Sequence, residues 1–359
     1  MKRKKKISSL LLLIIFGLLT NCIDPYAFKA AEPDGIINIE GFITTVPKAH
    51  RVRVSRADKF GPEFVGLNRG VALAKVLIKD DLGRVEILEE EGSGIYRTSV
   101  DFRAEIGRTY NLEVELREGQ RYISLPETVV PVPALDSVTF QSVRKPSLER
   151  LNDEIGVQVL AHFQDPGDEQ NFYFWNLLMS DFQVIGEPEL NHNGPNHPTC
   201  PRCPNPLECC RICYGQEVPK PTRVITTDDI DFNGNYKRRE IAYIEDDGLR
   251  FKGIYRLDMQ HLSVSPSAHR YLKLVGQQLS VSGTVFDPPP ANIRGNFLSL
   301  QDTQEEVLGH FIAADEIPIR LYIDGEDLEF VLRPQTLIPT DCRASFRGKT
   351  TTAPIDWNP

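Results

Sequence analysis

Long apolar runs are scarce in this chain. The only one, residues 10–19, is too short for the ~20 residues that a helix needs to span a bilayer, and the 41% hydrophobic content fits a globular body outside the membrane. Catalytic signatures are missing too. There is no G-x-S-x-G, no H-E-x-x-H, no G-x-x-x-x-G-K-[ST] and no G-x-G-x-x-G, so no spacing points to a nucleophile elbow, a zinc protease helix, a P-loop or a dinucleotide fold. Seven histidines and fifty carboxylates leave room for a triad or a carboxylate pair assembled by folding, but none is nominated. The expectation is a non-catalytic protein without a cofactor. Basic residues are outnumbered 41 to 50, and without residues 1–21 the chain keeps 338 residues and a formal charge of −14 instead of −9. That balance excludes a nucleic-acid binder or a polybasic lipid-surface protein.

What is present begins with an address. MKRKKK, the apolar run and Leu19-Thr20-Asn21-Cys22 have the basic, apolar and small-residue order of a secretory signal peptide over residues 1–21. The four residues ending at Cys22 resemble a bacterial lipobox, with Asn21 an unusual occupant. The resemblance implies that Cys22 is diacylated on sulfur, palmitate being a typical chain, and becomes the mature N-terminus. More than one acyl chain anchors stably, since each buried CH₂ contributes about 0.8 kcal/mol. Residues 22–34, with little apolar pattern, read as a tether.

From residue 35 the apolar period becomes two. Ile37 and Ile39, Val52 and Val54, Val76 and Ile78, residues 85–88, 95–98 and 110–116 mark short strands at roughly ten-residue spacing, separated by glycine turns. Residues 35–126 therefore read as an immunoglobulin-like β-sandwich. Pro126, Pro131 and Pro133 make residues 127–135 an extended linker. Residues 136–359 form a larger β-rich second domain: strands at 157–163 and 172–175, a single helix opened by Ser265-Pro266, and closing strands at 309–314 and 317–323. Ala268, Tyr271, Leu272, Val275 and Leu279 give that helix one apolar stripe, expected to be buried.

Residues 200–213 read CPRCPNPLECCRIC, five of the seven cysteines, inside a long irregular loop at 186–222 where regular strands are not expected. A metal site would draw on His192, His197, Cys200 and Cys203. Only five residues separate Cys203 from Cys209, fewer than paired zinc motifs use. In an oxidising envelope the favoured reading is disulfide bonding of Cys200, Cys203, Cys209, Cys210, Cys213 and Cys342, for which fifteen connectivities exist. The runner-up is an envelope enzyme or a metal or redox protein using this loop. Asp165, Asp168, Glu169 and Asn171 place oxygen side chains in a turn but lack the EF-hand pattern, so a plain turn is the better reading than calcium. The aromatics at 172–175 are read as core in preference to a sugar platform.

The pieces DGIINIEGFITT, RVRVSRADKF, AKVLIKDDLGRVEILEEEGSGIYRT and IGRTYNLEVELREGQRYIS, then SPSAHRYLKLVGQQLSVSGTVFDPPPANIRGNF, VLGHFIAADEI and PTDCRASFRGKTTTAPIDW, resemble in order the DUF4249 lipoproteins of Bacteroidetes. The N-terminal pieces are also similar to the carboxypeptidase-regulatory-like sandwich, a binding or structural module. The resemblance implies a lipid-anchored outer-membrane protein with no general enzymatic activity, acting as an accessory or binding subunit beside a TonB-dependent receptor in nutrient uptake. Its ligand is an unidentified small molecule, peptide or glycan, and the membrane face is open. Cys213 and Cys342 are expected to match family positions, whereas CPRCPNPLECC reads as local elaboration. Five cysteines cannot all pair within the loop, so one reaches Cys342, and Cys213 is the expected one.

Overall fold

A computed structural model describes residues 35–57, 68–146, 153–217, 224–280, 293–330, 332, 338–345 and 350–359. The leader, Cys22 and the tether lie outside them, as do residues 218–222 of the cysteine loop. Residues 35–359 form one compact unit, mainly β with a single α-helix among the described residues.

The N-terminal strands are β1 (Ile36–Thr44), β2 (Arg51–Ala57), β3 (Asn68–Gly70), β4 (Lys75–Asp80), β5 (Val85–Ile87), β6 (Glu89–Gly92), β7 (Ile95–Arg97), β8 (Thr109–Glu115), β9 (Arg121–Ser124) and β10 (Glu127–Thr128). Alternation sets their faces. Ile37, Ile39 and Ile43 of β1, Val52 and Val54 of β2, Val76 and Ile78 of β4, and Tyr110, Leu112 and Val114 of β8 are all at most 3% exposed. Side chains two apart on a strand share a face, and each such burial contributes about 1.5–3 kcal/mol.

The remaining elements are β11 (Leu135–Lys145), β12 (Glu154–Gln164), β13 (Phe172–Ile185), β14 (Ile212–Glu217), β15 (Ile225–Asp228), β16 (Tyr236–Glu245), β17 (Ile254–Ser263), α1 (Pro266–Leu279), β18 (Phe297–Ser299) and β19 (Phe311–Asp324). A ten-stranded sheet runs β14-β13-β17-β19-β1-β2-β7-β6, with β15 also on β13 and β3 also on β2. A six-stranded sheet, β18-β9-β8-β4-β5 with β10 on β8, faces one half of it, and a three-stranded sheet, β11-β12-β16, faces the other. The organisation is sandwich-like, with two main cores sharing one long sheet.

The seam is a parallel pairing of β1 with β19, from Gly41 opposite Phe311 to Thr44 opposite Ala314. Gly41 suits this close approach: a Cβ would sit 2.9 Å from both Leu112 Cδ2 and Phe311 Cδ2, and those buried side chains would have to shift. The first core is not built from residues 35–126 alone, because it takes in Val129, Phe297, Val307, Phe311 and Ala313. Part of the proline-rich connection is likewise structured, with β10 paired to β8 and Val132 N donating to Asp315 Oδ2 at 2.9 Å.

Two expected closing strands are one. β19 runs unbroken through Pro318, and since β1 pairs only as far as Ala314, the proline falls where β19 has a single neighbouring strand, the setting in which a missing N–H is tolerated. The expected helix starts as read, with Ser265 Oγ accepting from Ala268 N at 3.1 Å. Its stripe is shorter than expected. Ala268 and Leu272 are buried, while Leu279 is 47% exposed. His269 joins the buried side instead, because its ring packs on Phe172 at 5.1 Å between centroids and its Nδ1 pairs with Thr226 Oγ1 at 2.8 Å.

Candidate functional site

The cysteine loop leaves the sheet at the end of β13 and returns as β14, so the irregular part is residues 186–211. Strand structure in 212–217 departs from the sequence reading. Cys213 and Gly215 are buried while Tyr214 between them is less so, a period of two that pairs with Val184 and Phe182 of β13. The prolines and paired cysteines upstream obscured that alternation.

Three disulfides are present: Cys200–Cys203, Cys209–Cys210 and Cys213–Cys342. The last joins β14 to a 3-10 turn at Cys342–Ala344, its two Cα atoms 5.5 Å apart and both residues fully buried in the second core. Around it the loop and tail exchange backbone hydrogen bonds: Cys342 N donates to Cys210 O at 3.0 Å, and Glu187 N to Pro339 O at 2.9 Å. Gly186 permits the approach, since a Cβ there would meet Cys342 N, Cys210 O and Pro339 O at 3.0–3.1 Å.

The loop's outer part is held by local polar contacts. Asn191 O accepts from Asn205 N at 2.8 Å, Asn193 N donates to Cys203 O at 2.9 Å and Leu207 N to Pro188 O at 2.9 Å. His192 Nδ1 lies 2.6 Å from Leu190 O, and His197 Nδ1 accepts from Cys200 N at 3.2 Å. The four residues considered for a metal thus have their sulfurs bonded to each other and one ring nitrogen of each histidine engaged with backbone. Among the described residues no group of three or more His, Cys, Asp or Glu side chains is arranged to hold a metal ion. Most side chains from 192 to 209 are exposed, so the loop is pinned at its base and open at its top.

The Asp165 turn is interior. Asp165 is 1% exposed and accepts from Tyr173 Oη at 2.5 Å and Gly234 N at 2.9 Å; burial first, and then this hydrogen bond, raise the Tyr173 pKa. Asp168 and Glu169 point to solvent, while the buried Asn171 donates its N–H to Asp229 Oδ2. The aromatic strand divides by face. Tyr173 and Trp175 are buried in the second core, where Trp175 stacks on His261 at 5.5 Å, whereas Phe172 and Phe174 pack with α1.

Two features are absent from the sequence reading. One is a cleft between Val224, Ile225 and Thr226 on one side and Lys237, Arg238 and Arg239 of β16 on the other; three consecutive cations were the available signal. The other is the ion pair of Asp181 on β13 with Arg256 on β17, which is buried and extended by Gln216 Nε2 to Asp181 Oδ1 at 3.2 Å and by Trp357, whose ring lies 5.7 Å from the Arg256 guanidinium carbon. Only the fold brings these together.

No helix among the described residues is long and apolar enough to cross a membrane, a statement that does not concern strands. No curated protein and no solved structure matches the chain. A family model described as a domain of unknown function, DUF4249, matches residues 23–318, and the chain belongs to that family.

Proposed function

We propose that this protein is a lipid-anchored binding subunit of an outer-membrane uptake assembly, tethered through acylated Cys22 and contacting a TonB-dependent receptor or its cargo. The observation that carries the reading is the cysteine loop: an exposed segment with a disulfide-locked base, standing on the edge strand of a large sheet. Loops on a rigid scaffold are where binding residues concentrate, and a segment already ordered loses less entropy on binding than a free one. The leader pattern and the paired cysteines support an oxidising envelope address. The test is co-purification of the lipidated protein from native membranes, with and without the loop tip replaced by a short glycine-serine connection. The expected result is recovery of an outer-membrane receptor with the intact protein and its loss with the replaced loop. Recovery of no receptor counts against the proposal.

A further inference from the structure

The three bridges are not equivalent. Cys209 and Cys210 are neighbours in sequence, so their bridge closes a small ring around the peptide bond between them, with the two Cα atoms 3.7 Å apart, the spacing of any adjacent pair and below the ~4.4–6.8 Å that disulfides usually span. Within that ring Cys210 has φ of +74°, a left-handed conformation that costs a residue with a Cβ about 1–2 kcal/mol. The other two bridges have Cα separations of 5.6 and 5.5 Å. Access divides the sulfurs again: Cys209 is exposed, Cys210 is 9% exposed, and Cys213 and Cys342 are fully buried.

Charge favours Cys209 as a leaving thiolate, which counts in the second step below and not in the first. Arg343 Nη2 lies 3.8 Å from Cys209 Sγ, and the guanidinium is held there by Asp341 at 2.8 Å. Glu208 and Arg211 flank the pair in sequence, Arg211 reaching toward Glu189 at 3.8 Å. A guanidinium beside a sulfur stabilises its thiolate, and exposed or strained disulfides are the reducible ones.

We propose that Cys209–Cys210 is a redox-active pair that exchanges with a dithiol, while Cys200–Cys203 and Cys213–Cys342 are structural. In the first step a thiolate of the dithiol attacks the exposed Cys209 Sγ. The Cys209–Cys210 bond breaks, a mixed disulfide forms on Cys209, and Cys210 leaves as a thiolate that takes up a proton. In the second step the other thiolate of the dithiol attacks its partner sulfur in the mixed disulfide and expels the Cys209 thiolate beside Arg343. The dithiol is oxidised to its disulfide by two electrons and the protein pair is reduced by two. Opening the ring frees Cys210 from its left-handed conformation and loosens the Cys342 N to Cys210 O contact, so the redox state of this pair sets how firmly the loop grips the tail.

The experiment uses full-length protein isolated from its own membranes, equilibrated in dithiothreitol buffers of graded reduced-to-oxidised ratio, alkylated, and mapped by mass spectrometry. Cys209 and Cys210 are expected to alkylate together at a ratio roughly tenfold or more lower than any other cysteine. Opening of either other bridge first or alongside overturns the proposal, as does a peptide joining Cys209 or Cys210 to a different cysteine. A second arm traps the first step with glutathione and an acid quench. The adduct is expected on Cys209; an adduct on Cys210, Cys213 or Cys342 overturns the order of attack.

Discussion

The two halves of the long sheet are stabilised differently. Around β1, β2, β4 and β8 the core cluster holds aliphatic and aromatic side chains and, among the described residues, no disulfide; its ion pairs run from the exposed Arg51 with Glu91 and Lys79 with Glu113 to the largely buried Asp80 with Arg108 at 3.0 Å. Around β13, β14 and β17 the core encloses a disulfide, and the ion pair of Asp181 with Arg256 is buried nearby. Surface pairs typically contribute ~0–1 kcal/mol, whereas breaking a buried pair costs several. Both halves therefore rest on apolar packing, and the second adds a covalent bridge and a fully buried ion pair whose loss is concentrated.

The largest expected effect tests that contrast directly. Asp181→Ala removes the near partner of the buried Arg256, which keeps Asp258 at 3.6 Å and the Ile355 carbonyl at 3.3 Å, and is expected to destabilise the protein by up to about 3–5 kcal/mol, while Glu91→Ala on the first half costs under about 1 kcal/mol. Urea denaturation of both variants decides it, and equal losses would break the comparison. Next comes the Cys213→Ala, Cys342→Ala double variant, with an expected loss of ~2–5 kcal/mol from removing a bridge between residues 129 apart in sequence. Amide exchange is expected to rise in β13, β14 and the tail before it rises in β4 and β8; uniform acceleration would mean that the two halves are one cooperative unit.

A third prediction concerns acid. His50, His261 and His310 are each lowered to about 4, first by burial; the nearby Lys48 charge adds to the shift at His50, while the Pro133 backbone partly offsets it at His261. A histidine whose folded pKa lies below its unfolded value of 6.5 binds its proton more readily unfolded, so stability rises with pH between the two values. Stability is expected to fall as pH drops from about 6.5 to about 4, on the order of 2–3 kcal/mol per histidine. His261 belongs to the second core and His50 packs on Phe102 beside the first. His261→Phe is expected to flatten the acid loss mainly in the second half, read by fluorescence of Trp175, on which His261 stacks. An unchanged profile would mean that His261 keeps its proton balance on unfolding.

How much of this could be read beforehand also divides by half. Alternation marked Ile37, Ile39, Val52, Val54, Val76 and Ile78 because an antiparallel strand with one buried face prints its period into the sequence. The membership of Phe311 and Ala313 in that same core was not visible, since a parallel pairing between strands about 270 residues apart leaves no local trace. In the cysteine loop, composition told of sulfur chemistry but hid β14, whose strand begins inside the cysteine run. The buried partnership of Asp181 and Arg256 required knowing that β13 and β17 are neighbours in register. Lone charges in strands carry no mark of their partners.

The smallest expected effect probes what lies between the halves. α1 packs in a third cluster formed by Leu262 and Val264 at the end of β17, Ile312 and Ala314 of β19, and Ala268 and Leu272 of its own, at the place where β19 passes from one half to the other. Its first turn is capped by Ser265 Oγ on Ala268 N, and Ser267 Oγ donates to the buried Glu127 at 2.7 Å. Ser265→Ala removes the cap and is expected to cost about 1 kcal/mol. If α1 is a local cover, exchange quickens only within 265–280 and the denaturation midpoint moves little. If it braces the seam, the same loss also appears in β1 and β19, where Phe42 and Ile312 pack with this cluster, and Ser265→Asp, which restores a cap, brings both back together. The shared packing of α1, β1 and β19 favours the second outcome, in which the two halves keep separate chemistries but are held in register through one helix turn.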